Sequence, residues 1–588
     1  MRSSDYIVSY LEKIGVKNIQ GFIGGVITPL FDSIYKNPKI EFLHYCHEQA
    51  ASFAASAAAK CTNTLQVAIA TSGPGATNLI TGIADAFFDS APVLYITGQV
   101  NTYDFKFDKK IRQQGFQETD IVSIVKPITK YSSLISDPNQ LIKELKKAVS
   151  IALSGRKGPV LLDIPFDIQR MDLELPEDAF NFEIDQEKFQ LSEQDLNEII
   201  DMISISKLPI ILAGGGCSIS QSKKHLIELA EKTETPVIVS LMGKDSFPHD
   251  HILFGGFIGA YGNRFSNILF AKSDLLIVLG SRLDTRQIGN NIEPFLNKKI
   301  IWVDIDCNEI RFSKLKPEKT INCDVNFFLE ELLNYIKINK IKLNREKYIH
   351  ILNKLKKKYD PLTELKRAHK IDWHYYLIDK ISSLMKDDDV VCVDVGQNQM
   401  LAAQVIKIVE NQRFINSGGM APLGYALPAA IGISKIIGKR SIVIVGDGGM
   451  QINIQELNTV AKNKLPIIII VLNNKSLGMI KKFQELYFEG RYSATDETSG
   501  YYSCDFKKIA QAYNIESYKI DRKTQNIEKT LNLIFDRFYK PVLLEIDIDN
   551  DTYIYPKLRF DKTIDEISPE LPHEERKKID ELFNNMQD

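Results

Sequence analysis

The segment Ser441–Asn474 constrains the fold of this chain more than any other stretch. One apolar run, Ile442–Val445, ends abruptly at the sequence GDGG, and a second, Pro466–Leu472, ends at two asparagines. The residues between them have the apolar spacing of a helix. A strand, a helix and a second strand in this order predict a βαβ unit with parallel strands. Because ligands bind at the carboxyl ends of strands in open parallel sheets, we expect a binding site at this edge.

The residues at these two strand ends suit a phosphate group and a metal ion. Glycines at the start of a helix let backbone N–H groups approach a phosphate closely. Asp447 and Asn474 add hard oxygen atoms, which Mg²⁺ prefers when phosphate and water oxygens complete its coordination. Taken separately, a Gly-Asp-Gly turn and an Asn-Asn strand end are ordinary features. Their combination, with 24 residues between Gly448 and Asn473, favours a diphosphate–metal site.

Composition and charge argue against several classes of protein. The formal net charge is −2 over 588 residues, so nucleic acid or an anionic membrane is not expected as a partner. No apolar stretch reaches the roughly 18 residues of a membrane-spanning helix, and the amino-terminal segment lacks the apolar core of a signal peptide. The seven cysteines are scattered without a CxxC pair, which favours reduced thiols over disulfides or zinc. We therefore expect a cytoplasmic protein.

Strands that run into glycines recur along the chain and alternate with helices. This alternation predicts an α/β fold built from doubly wound parallel sheets. The length allows three domains of ~150–200 residues each. The predicted organisation is three such domains at 1–170, 190–340 and 365–550, followed by a polar tail at 551–588.

Several motifs occur in the order found in a known enzyme family. They are HEQAA (47–51), ATSGPGATN (70–78), ITGQV (96–100), FQETD (116–120) and the GDG and NN pair of the third predicted domain. Together they resemble the large catalytic subunit of acetolactate synthase, also called acetohydroxyacid synthase, over about 1–550. The resemblance implies thiamin diphosphate and Mg²⁺ as cofactors. It also implies three domains of the thiamin-diphosphate-enzyme type, which are pyrimidine-binding, central and diphosphate-binding in chain order.

The same resemblance assigns a catalytic role to Glu48. In the family, a glutamate bonded to N1′ of the aminopyrimidine promotes removal of the thiazolium C2 proton, which is general base catalysis through the cofactor and typically gives roughly 10²–10⁴-fold. Glu48 follows an apolar strand and precedes an alanine-rich helix, so it is expected to be shielded from water. The alternative is a surface glutamate favoured by the positive end of a helix.

Further positions carry over from the family as cofactor or metal contacts. Leu423 corresponds to the bulky apolar residue that bends the cofactor, although it could also be an ordinary core residue. Ser476 would supply a backbone carbonyl to the metal. The remaining cofactor-binding predictions are Gln397, Asn398, Gly419, Gly446, Gly448, Gly449, Leu477, Gly478 and Met479.

Two positions match the surroundings of the bound intermediate in the family. Gly25 would let the substrate approach the backbone, and Gln117 would be a neutral donor to a developing oxyanion. The alternatives are a turn glycine and an ordinary loop amide. Glu48, Gly25 and Gln117 form the predicted catalytic set.

The central predicted domain resembles the part of the family that holds FAD. Its glycines include Gly214 and Gly215, and Arg282, Asp284 and Arg286 follow a later strand. Two arginines at a glycine-rich strand end could pair with a diphosphate. However, the family's Arg-Phe-Asp-Asp-Arg is Arg-Leu-Asp-Thr-Arg here, so a domain without flavin is the alternative. The flavin would have a structural role, because the expected reaction has no redox step.

Two departures from the family concern the substrate. Phe483 replaces the tryptophan that selects 2-oxobutyrate as acceptor, and Phe166 replaces a lysine near the access channel. The chain also resembles acetolactate-synthase-like proteins associated with surface-polysaccharide sugar synthesis, which can transfer an acetyl unit to a keto sugar. These changes could alter the choice of acceptor without changing the cofactor chemistry.

The expected function is a carboligase that decarboxylates pyruvate and transfers the two-carbon unit to a second 2-oxo acid, as in branched-chain amino acid biosynthesis. Transfer to a keto sugar, simple 2-oxo acid decarboxylation and a non-catalytic regulatory cofactor-binding protein are the alternatives. The family builds each site from two chains, so a homodimer or homotetramer is expected. A small regulatory subunit is a further potential partner.

Overall fold

The computed structural model describes residues 1–185, 187–367, 373–536 and 540–587. Residues 368–372 and 537–539, inside the predicted third domain, and Asp588, in the predicted tail, lie outside the described residues. The chain divides into two compact units. The first comprises Met1–Glu187, Asp389–Gly396 and Ile415–Asp547. The second comprises Lys188–Asp388, Gln397–Phe414 and Ile548–Asp588.

The first sheet lies in the first unit and contains six parallel strands in the order β2-β1-β3-β4-β6-β5. Its strands are β1 Asn18–Gly21, β2 Glu41–His44, β3 Gln66–Ala70, β4 Val93–Gln99, β5 Tyr131–Leu134 and β6 Val160–Pro165. The helices of this region are α1 Ser3–Lys13, α2 Thr28–Lys36, α3 Glu48–Thr62, α4 Pro74–Asn78, α5 Ile80–Phe88, α6 Ile121–Val125, α7 Pro138–Leu153 and α8 Phe166–Arg170.

The second sheet lies in the second unit, with the strand order β12-β11-β10-β7-β8-β9. Its strands are β7 Pro209–Ala213, β8 Val237–Val239, β9 Phe254–Phe257, β10 Leu275–Leu279, β11 Lys299–Asp304 and β12 Lys319–Asn322. The helices of this region are α9 Glu193–Ile205, α10 Gly215–Ile219, α11 Lys223–Thr233, α12 Arg264–Lys272, α13 Thr285–Ile288, α14 Cys307–Arg311, α15 Val325–Ile338, α16 Glu346–Lys358 and α17 Pro361–Arg367.

The third sheet has the order β14-β13-β15-β16-β18-β17, which repeats the topology of the first. Its strands are β13 Val390–Val393, β14 Arg413–Ile415, β15 Ser441–Gly446, β16 Ile467–Asn473, β17 Glu516–Ile520 and β18 Val542–Asp547. The remaining helices are α18 Trp373–Leu384, α19 Gln397–Val405, α20 Ala426–Ile437, α21 Asp447–Ile452, α22 Leu457–Asn463, α23 Gly478–Tyr487, α24 Phe506–Ala512, α25 Ile527–Phe535 and α26 His573–Gln587. Three doubly wound parallel sheets confirm the predicted fold class.

Each sheet contains a central point at which the chain, after adding strands on one side, begins to add them on the other. This point lies between β1 and β3 in the first sheet, between β7 and β10 in the second, and between β13 and β15 in the third. Ligands of doubly wound sheets bind outside the carboxyl ends of the strands at this position. The chain therefore contains three potential ligand-binding positions. The side chains at each position determine whether it can bind a ligand.

Small residues join two helices inside the first unit. Helix α3 is rich in alanine and packs against α20, and both contribute to one buried apolar cluster with strands of the third sheet. A Cβ atom on Gly432 would lie only 2.6 Å from the carbonyl oxygen of Ala54. The close approach of the two backbones therefore requires glycine at this position.

The carboxy-terminal segment contributes to the core of the second unit. Ile564, Ile579 and Phe583 are buried in the same apolar cluster as residues of β7, β10 and β11. The hydroxyl of Tyr359 donates a hydrogen bond to Glu575 at 2.7 Å. Helix α26 is thus packed through its apolar face, which accounts for a helix in an otherwise polar segment.

Candidate functional site

The GDGG segment lies in close contact with two neighbouring residues. Strand β15 ends at Gly446, and α21 begins at Asp447. A Cβ atom on Gly448 would lie 2.6 Å from Cδ2 of Leu477, and one on Gly449 would lie 2.5 Å from Oδ1 of Asp394. Both distances are below any normal contact, so these glycines bring the turn close to its neighbours.

Asp447 is the charged group of this turn and is almost entirely buried, with 2 % of its surface exposed. Its Oδ2 accepts a hydrogen bond from the hydroxyl of Tyr501 at 3.0 Å. Burial raises the pKa of Asp447 to about 6, and the Tyr501 hydrogen bond offsets part of this effect. A buried carboxylate with neutral donors is stabilised further by a cation, so the residue fits a metal ligand.

The two asparagines at the end of β16 have different environments. Asn473 donates to Oε1 of Glu545 at 2.9 Å and accepts from the Lys475 amide at 3.1 Å, which ties it to the neighbouring strand. Asn474 accepts from the backbone N–H of Ser476 at 3.2 Å. Asn474 and Ser476 are both buried. Asn473 is thus bonded to the neighbouring strand, and the role of Asn474 as a metal ligand stays a prediction.

The next residues form the start of an exposed helix. Leu477, which contacts the GDG turn, donates its N–H to the carbonyl of Thr495 at 2.8 Å, and α23 begins at Gly478. Helix α23 has no buried residue. Met479 and Phe483 lie on it, and Phe483 is 43 % exposed. The predicted cofactor contacts Leu477, Gly478 and Met479 therefore follow directly on the candidate metal ligands.

Asp394 at the end of β13 is a site residue that the sequence did not reveal. It is buried, and its two oxygens accept from the N–H groups of Gly424 at 3.0 Å and Ala426 at 2.9 Å. Burial raises its pKa to about 6. It fixes the turn after Leu423, whose side chain is 39 % exposed. Leu423 is thus not an ordinary core residue, and its role as a prop for a cofactor stays a prediction.

Glu48 begins helix α3 and is 8 % exposed. The side chain of His47 caps the helix by accepting from the Gln49 N–H at 3.1 Å. Asn78, at the end of the ATSGPGATN motif, donates from Nδ2 to Oε2 of Glu48 at 3.0 Å. A Cβ atom on Gly75 would lie 3.2 Å from the other carboxylate oxygen. Two residues of this motif thus lie at the carboxylate of Glu48, which is buried and not a surface glutamate.

Gln117 lies against the same motif. It has a left-handed backbone, with φ of 63°, and it packs so closely on Gly73 that a Cβ atom there would lie 3.0 Å from it. Gly25 is exposed, and a Cβ atom on it would meet nothing within 4 Å. By contrast, a Cβ atom on Gly24 would lie 2.4 Å from Cβ of Thr71. The structure thus places Gln117 beside the Glu48 motif and leaves open space at Gly25.

Gln397 and Asn398 belong to the second unit and begin α19. Gln397 exchanges two hydrogen bonds with Thr552, accepting from its hydroxyl at 3.0 Å and donating to its carbonyl at 3.2 Å. Asn398 is buried. Their predicted contact with a phosphate stays a prediction.

The candidate flavin position in the second sheet is already closely packed. Gly214 and Gly216 donate their N–H groups to the carbonyls of Leu279 and Gly280 at 2.8 and 3.0 Å. A Cβ atom on Gly214 would lie 2.1 Å from the carbonyl oxygen of Gly280, and one on Gly215 would lie 3.1 Å from Cβ of Met242. The absence of side chains at Gly214 and Gly216 therefore allows this segment to pack directly against the backbone at the end of β10.

The charged residues near this position pair with each other. Arg282 lies 3.1 Å from Asp284, and its side chain is about half exposed. Asp284 also caps α13 by accepting from the N–H of Arg286 at 3.0 Å. The guanidinium group of Arg282 is thus paired with Asp284, whereas Arg286, which is also exposed, meets Asp284 through its backbone N–H.

Clusters of metal-binding side chains and membrane-spanning helices are both missing from the described residues. Over the described ranges, the structure contains no group of three or more His, Cys, Asp and Glu side chains able to hold a metal ion. A site made of one aspartate and one asparagine requires ligand oxygens from elsewhere. None of the helices described is both long and apolar enough to cross a membrane.

Comparison with known protein families gives matches to three domain types in chain order. Residues 1–124 match the thiamine pyrophosphate enzyme N-terminal TPP binding domain. Residues 196–332 match the central domain of the same enzymes, and residues 394–546 match the C-terminal TPP binding domain. Each match includes most of the strands of one sheet, and the two TPP binding domains support thiamin diphosphate as the cofactor.

Relatives with the same domain order span nearly the whole chain. The acetolactate synthase large subunit of Cyanidium caldarium is 35 % identical over 568 residues, which is 94 % of each chain. The probable acetolactate synthase large subunit of Methanocaldococcus jannaschii is 34 % identical over 93 % of this chain and 92 % of its own. The acetolactate synthase isozyme 1 large subunit of Escherichia coli is 34 % identical over 94 % and 95 %. The chain is therefore an enzyme that belongs to the acetolactate synthase large subunit family of thiamine pyrophosphate enzymes.

Proposed function

We propose that this protein is a carboligase that decarboxylates pyruvate and transfers the remaining two-carbon unit to a second 2-oxo acid. With pyruvate as acceptor, two pyruvate anions and one proton give one 2-acetolactate anion and one CO₂. The observation that carries the proposal is the pair of buried carboxyls, Glu48 on the first sheet and Asp447 on the third, each at a strand end of a thiamin-diphosphate-type domain.

Bound thiamin diphosphate would supply the carbanion that adds to the oxo carbon of pyruvate and would hold the electron pair released with CO₂. Mg²⁺ would be held by Asp447, the side chain of Asn474 and the carbonyl of Ser476. The fit rests on Asp447, because its burial and raised pKa favour a cation nearby.

The chain's own residues have separate tasks in this reaction. Glu48 would share a proton with N1′ of the aminopyrimidine, and Asn78 keeps its carboxylate oriented through the 3.0 Å hydrogen bond. Gln117 would donate to the oxygen that becomes negative when the acceptor carbonyl is attacked. Leu423 would hold the two cofactor rings in their reactive arrangement.

We also propose that each site is completed by a second copy of the chain. Glu48 of one subunit would face the Asp447–Asn474 strand ends of the partner, so a homodimer or homotetramer is the working form. The names of the relatives specify a large subunit, so we propose a regulatory small subunit as a further potential partner. The expected compartment is the cytoplasm.

FAD is proposed as a structural group only. It would lie where the strand order of the second sheet reverses, between β7 and β10. The amides of Gly214 and Gly216 are already bonded, so binding would depend on the Gly215 amide and on the exposed guanidinium groups of Arg282 and Arg286.

Product analysis tests the proposed function. Purified protein is supplied with thiamin diphosphate, Mg²⁺ and labelled pyruvate, and cofactor content is measured on the same sample. We expect labelled CO₂ and 2-acetolactate. Free acetaldehyde as the main product would indicate a decarboxylase instead. If product appears only after a nucleotide-linked keto sugar is added, the acceptor is a sugar, which Phe166 and Phe483 would then explain.

The variant Glu48→Gln tests the assignment of the base. It keeps the size of the side chain and the Asn78 contact but cannot carry the negative charge. We expect cofactor binding close to the wild-type value and a fall in turnover of at least about 10²-fold, the usual contribution of general base catalysis. Pyruvate consumption at the wild-type rate would refute the role of Glu48.

A further inference from the structure

A buried ionic cluster lies at the far end of the helix that begins with Glu48. Lys60 is in the last turn of α3, Asp85 is in α5, and Asp89 follows α5. Lys60 Nζ lies 2.8 Å from Asp89 Oδ2 and 3.3 Å from Asp85 Oδ2, and the side chains are 8 %, 2 % and 0 % exposed. Ser56 donates to Asp85 at 2.6 Å. Buried charges at this depth persist only when they are paired and hydrogen-bonded.

The cluster holds a loop that precedes Leu423. Lys60 donates to the carbonyl of Asn416 at 3.0 Å. Asp89 accepts from the backbone N–H of Gly418 at 3.2 Å and of Gly419 at 2.9 Å. Two N–H groups on one carboxylate are charge-assisted hydrogen bonds, which are stronger than neutral ones. The loop from Asn416 to Leu423 is thus fixed by side chains of the first sheet domain.

Close packing adds to these hydrogen bonds. A Cβ atom on Gly419 would lie 2.5 Å from Cβ of Phe88, so the loop backbone rests directly on the end of α5. The ammonium group of Lys60 also lies 4.5 Å from the centre of the Tyr425 ring, a favourable cation–π distance. Lys60 therefore contacts the residues on both sides of Leu423.

The amino-terminal end of α3 is also held by a residue near the third sheet. The backbone N–H of Cys46, two residues before Glu48, donates to Oε1 of Glu456 at 3.0 Å. Glu456 is fully buried and lies just before α22. Between the two ends, α3 packs on α20 through Ala54 and Gly432. Helix α3 is therefore held at both ends and in the middle.

We propose that Lys60 and Asp89 are positioning residues that set the Asn416–Leu423 loop for the cofactor. The inference deepens the proposed function, because it rests on Gly419 and Leu423 contacting thiamin diphosphate. Without the cluster, the loop would become ordered only when the cofactor binds. The free-energy cost of ordering the loop would then reduce the affinity for the cofactor. The helix that carries Glu48 and the loop that carries Leu423 then act as one rigid piece within each chain.

The main variant is Asp89→Asn, which keeps the side-chain size and removes the charge that the two N–H groups and Lys60 share. We expect the Kd for thiamin diphosphate, measured by calorimetry at fixed Mg²⁺, to rise about tenfold, which corresponds to ~1.4 kcal/mol. We expect kcat at saturating cofactor to stay within about threefold, because the reacting groups are unchanged. Lys60→Met should also raise the Kd for thiamin diphosphate. Lys60→Arg keeps the positive charge and should retain most of the wild-type affinity.

A matched control separates positioning from general stability. Arg440 and Asp389 form another buried ion pair of the first unit, with Arg440 Nε 2.8 Å from Asp389 Oδ1. They precede β15 and β13, so they lie at the amino ends of the strands, opposite the site. Arg440→Met should lower the melting temperature without changing the cofactor Kd. An equal rise of Kd in Arg440→Met and Asp89→Asn would overturn the proposal, as would an unchanged Kd in Asp89→Asn.

Hydrogen–deuterium exchange of the cofactor-free protein gives a readout that does not depend on the proposed reaction. Asp89→Asn should speed exchange in the loop from Asn416 to Leu423 and leave the strands of the third sheet protected. If wild-type protein binds no thiamin diphosphate, the proposed function fails, yet faster loop exchange would still support the positioning role. Unchanged exchange in both Asp89→Asn and Lys60→Met would refute it.

Discussion

The second and third sheets carry similar strand-end sequences and use them differently. In each, a buried strand next to the point of strand reversal runs into consecutive glycines, Gly214–Gly216 after β7 and Gly446–Gly449 around Asp447 after β15. In the second sheet, the glycine amides bond to the β10 end, and the absent side chains make room for its backbone. In the third sheet, the glycines surround a buried carboxylate with a raised pKa.

This difference shows what a glycine pattern can establish. Glycines at a strand end indicate that something approaches the backbone closely, and that neighbour can be a ligand or the protein itself. A buried acid that lacks a cationic partner among the hydrogen bonds described is a stronger indication of a ligand, because its burial is unfavourable until a cation arrives. Asp447 meets this condition, whereas Asp284 in the second sheet has Arg282 at 3.1 Å.

The largest expected effect comes from removing the charge in the third sheet. Asp447→Asn keeps the size of the side chain but lowers its affinity for Mg²⁺. A Lewis-acid metal contributes several kcal/mol, so at ~1.4 kcal/mol per tenfold we expect activity to fall about 10³-fold at fixed cofactor concentration. Asn473→Ala is the control, because Asn473 bonds to Glu545 and should affect stability more than metal affinity. Near-normal activity of Asp447→Asn would contradict the metal assignment.

A second effect tests whether packing explains the glycines of the second sheet. In Gly214→Ala, the new Cβ atom would lie 2.1 Å from the Gly280 carbonyl oxygen. Overpacking of this kind typically costs 1–3 kcal/mol, so we expect a lower urea midpoint and an unchanged KM for pyruvate. Gly25→Ala is the matched control, because its Cβ atom meets nothing within 4 Å. It should keep full stability but raise KM if substrate lies against Gly25.

The fold class and the main strand ends could be predicted from the sequence because they follow local patterns. Apolar runs that end in glycine or asparagine mark buried parallel strands, and the structure confirms β15 and β16 in this way. The motif ATSGPGATN contained Asn78, the partner of Glu48. Its exact contact was not predictable, since a residue 30 positions away reaches Glu48 only through the tertiary fold.

Contacts between residues far apart in the sequence could not be predicted from sequence patterns. Asp394 lies at a strand end just before Gly396 and Gln397, a position typical of residues near a ligand. Its hydrogen bonds to the amides of Gly424 and Ala426, however, depend on the tertiary fold. Lys60 and Asp89 look like ordinary helix-end residues in the sequence. Their burial and pairing appear only when α3 and α5 are packed together.

The pH dependence of cofactor binding gives a third, smaller effect. Burial raises the pKa of Asp447 from its ordinary value of 3.8 to about 6, so the folded protein without metal binds a proton more readily than the unfolded chain. Its contribution to stability is therefore greatest at low pH and is lost as the pH rises from about 4 to about 6. Mg²⁺ needs the ionised form, so binding should weaken about tenfold for each pH unit below that pKa.

Tyr501→Phe serves as the control for this titration. The variant removes the hydrogen bond of 3.0 Å to Asp447, which favours the ionised carboxylate, so the midpoint of the pH dependence should move to higher pH. Protons bound by the cofactor itself affect wild type and variant equally. Calorimetric titrations between pH 5 and pH 7.5 measure both midpoints. Coinciding midpoints would show that Asp447 is not the titrating group.

The smallest expected effect is that of Arg282→Ala in the second sheet. The pair with Asp284 is half exposed, and such surface pairs contribute at most ~1 kcal/mol, so stability should change little. The informative measurement is flavin absorbance of the purified protein. If wild type carries flavin, Arg282→Ala should weaken its binding while Arg282→Lys retains part of it, because a guanidinium binds phosphate oxygens in a bidentate way. If the wild-type protein carries no flavin even after incubation with FAD, the glycines of the second sheet have only a packing role. The two sheets would then differ in that only the third uses its glycines at a ligand site.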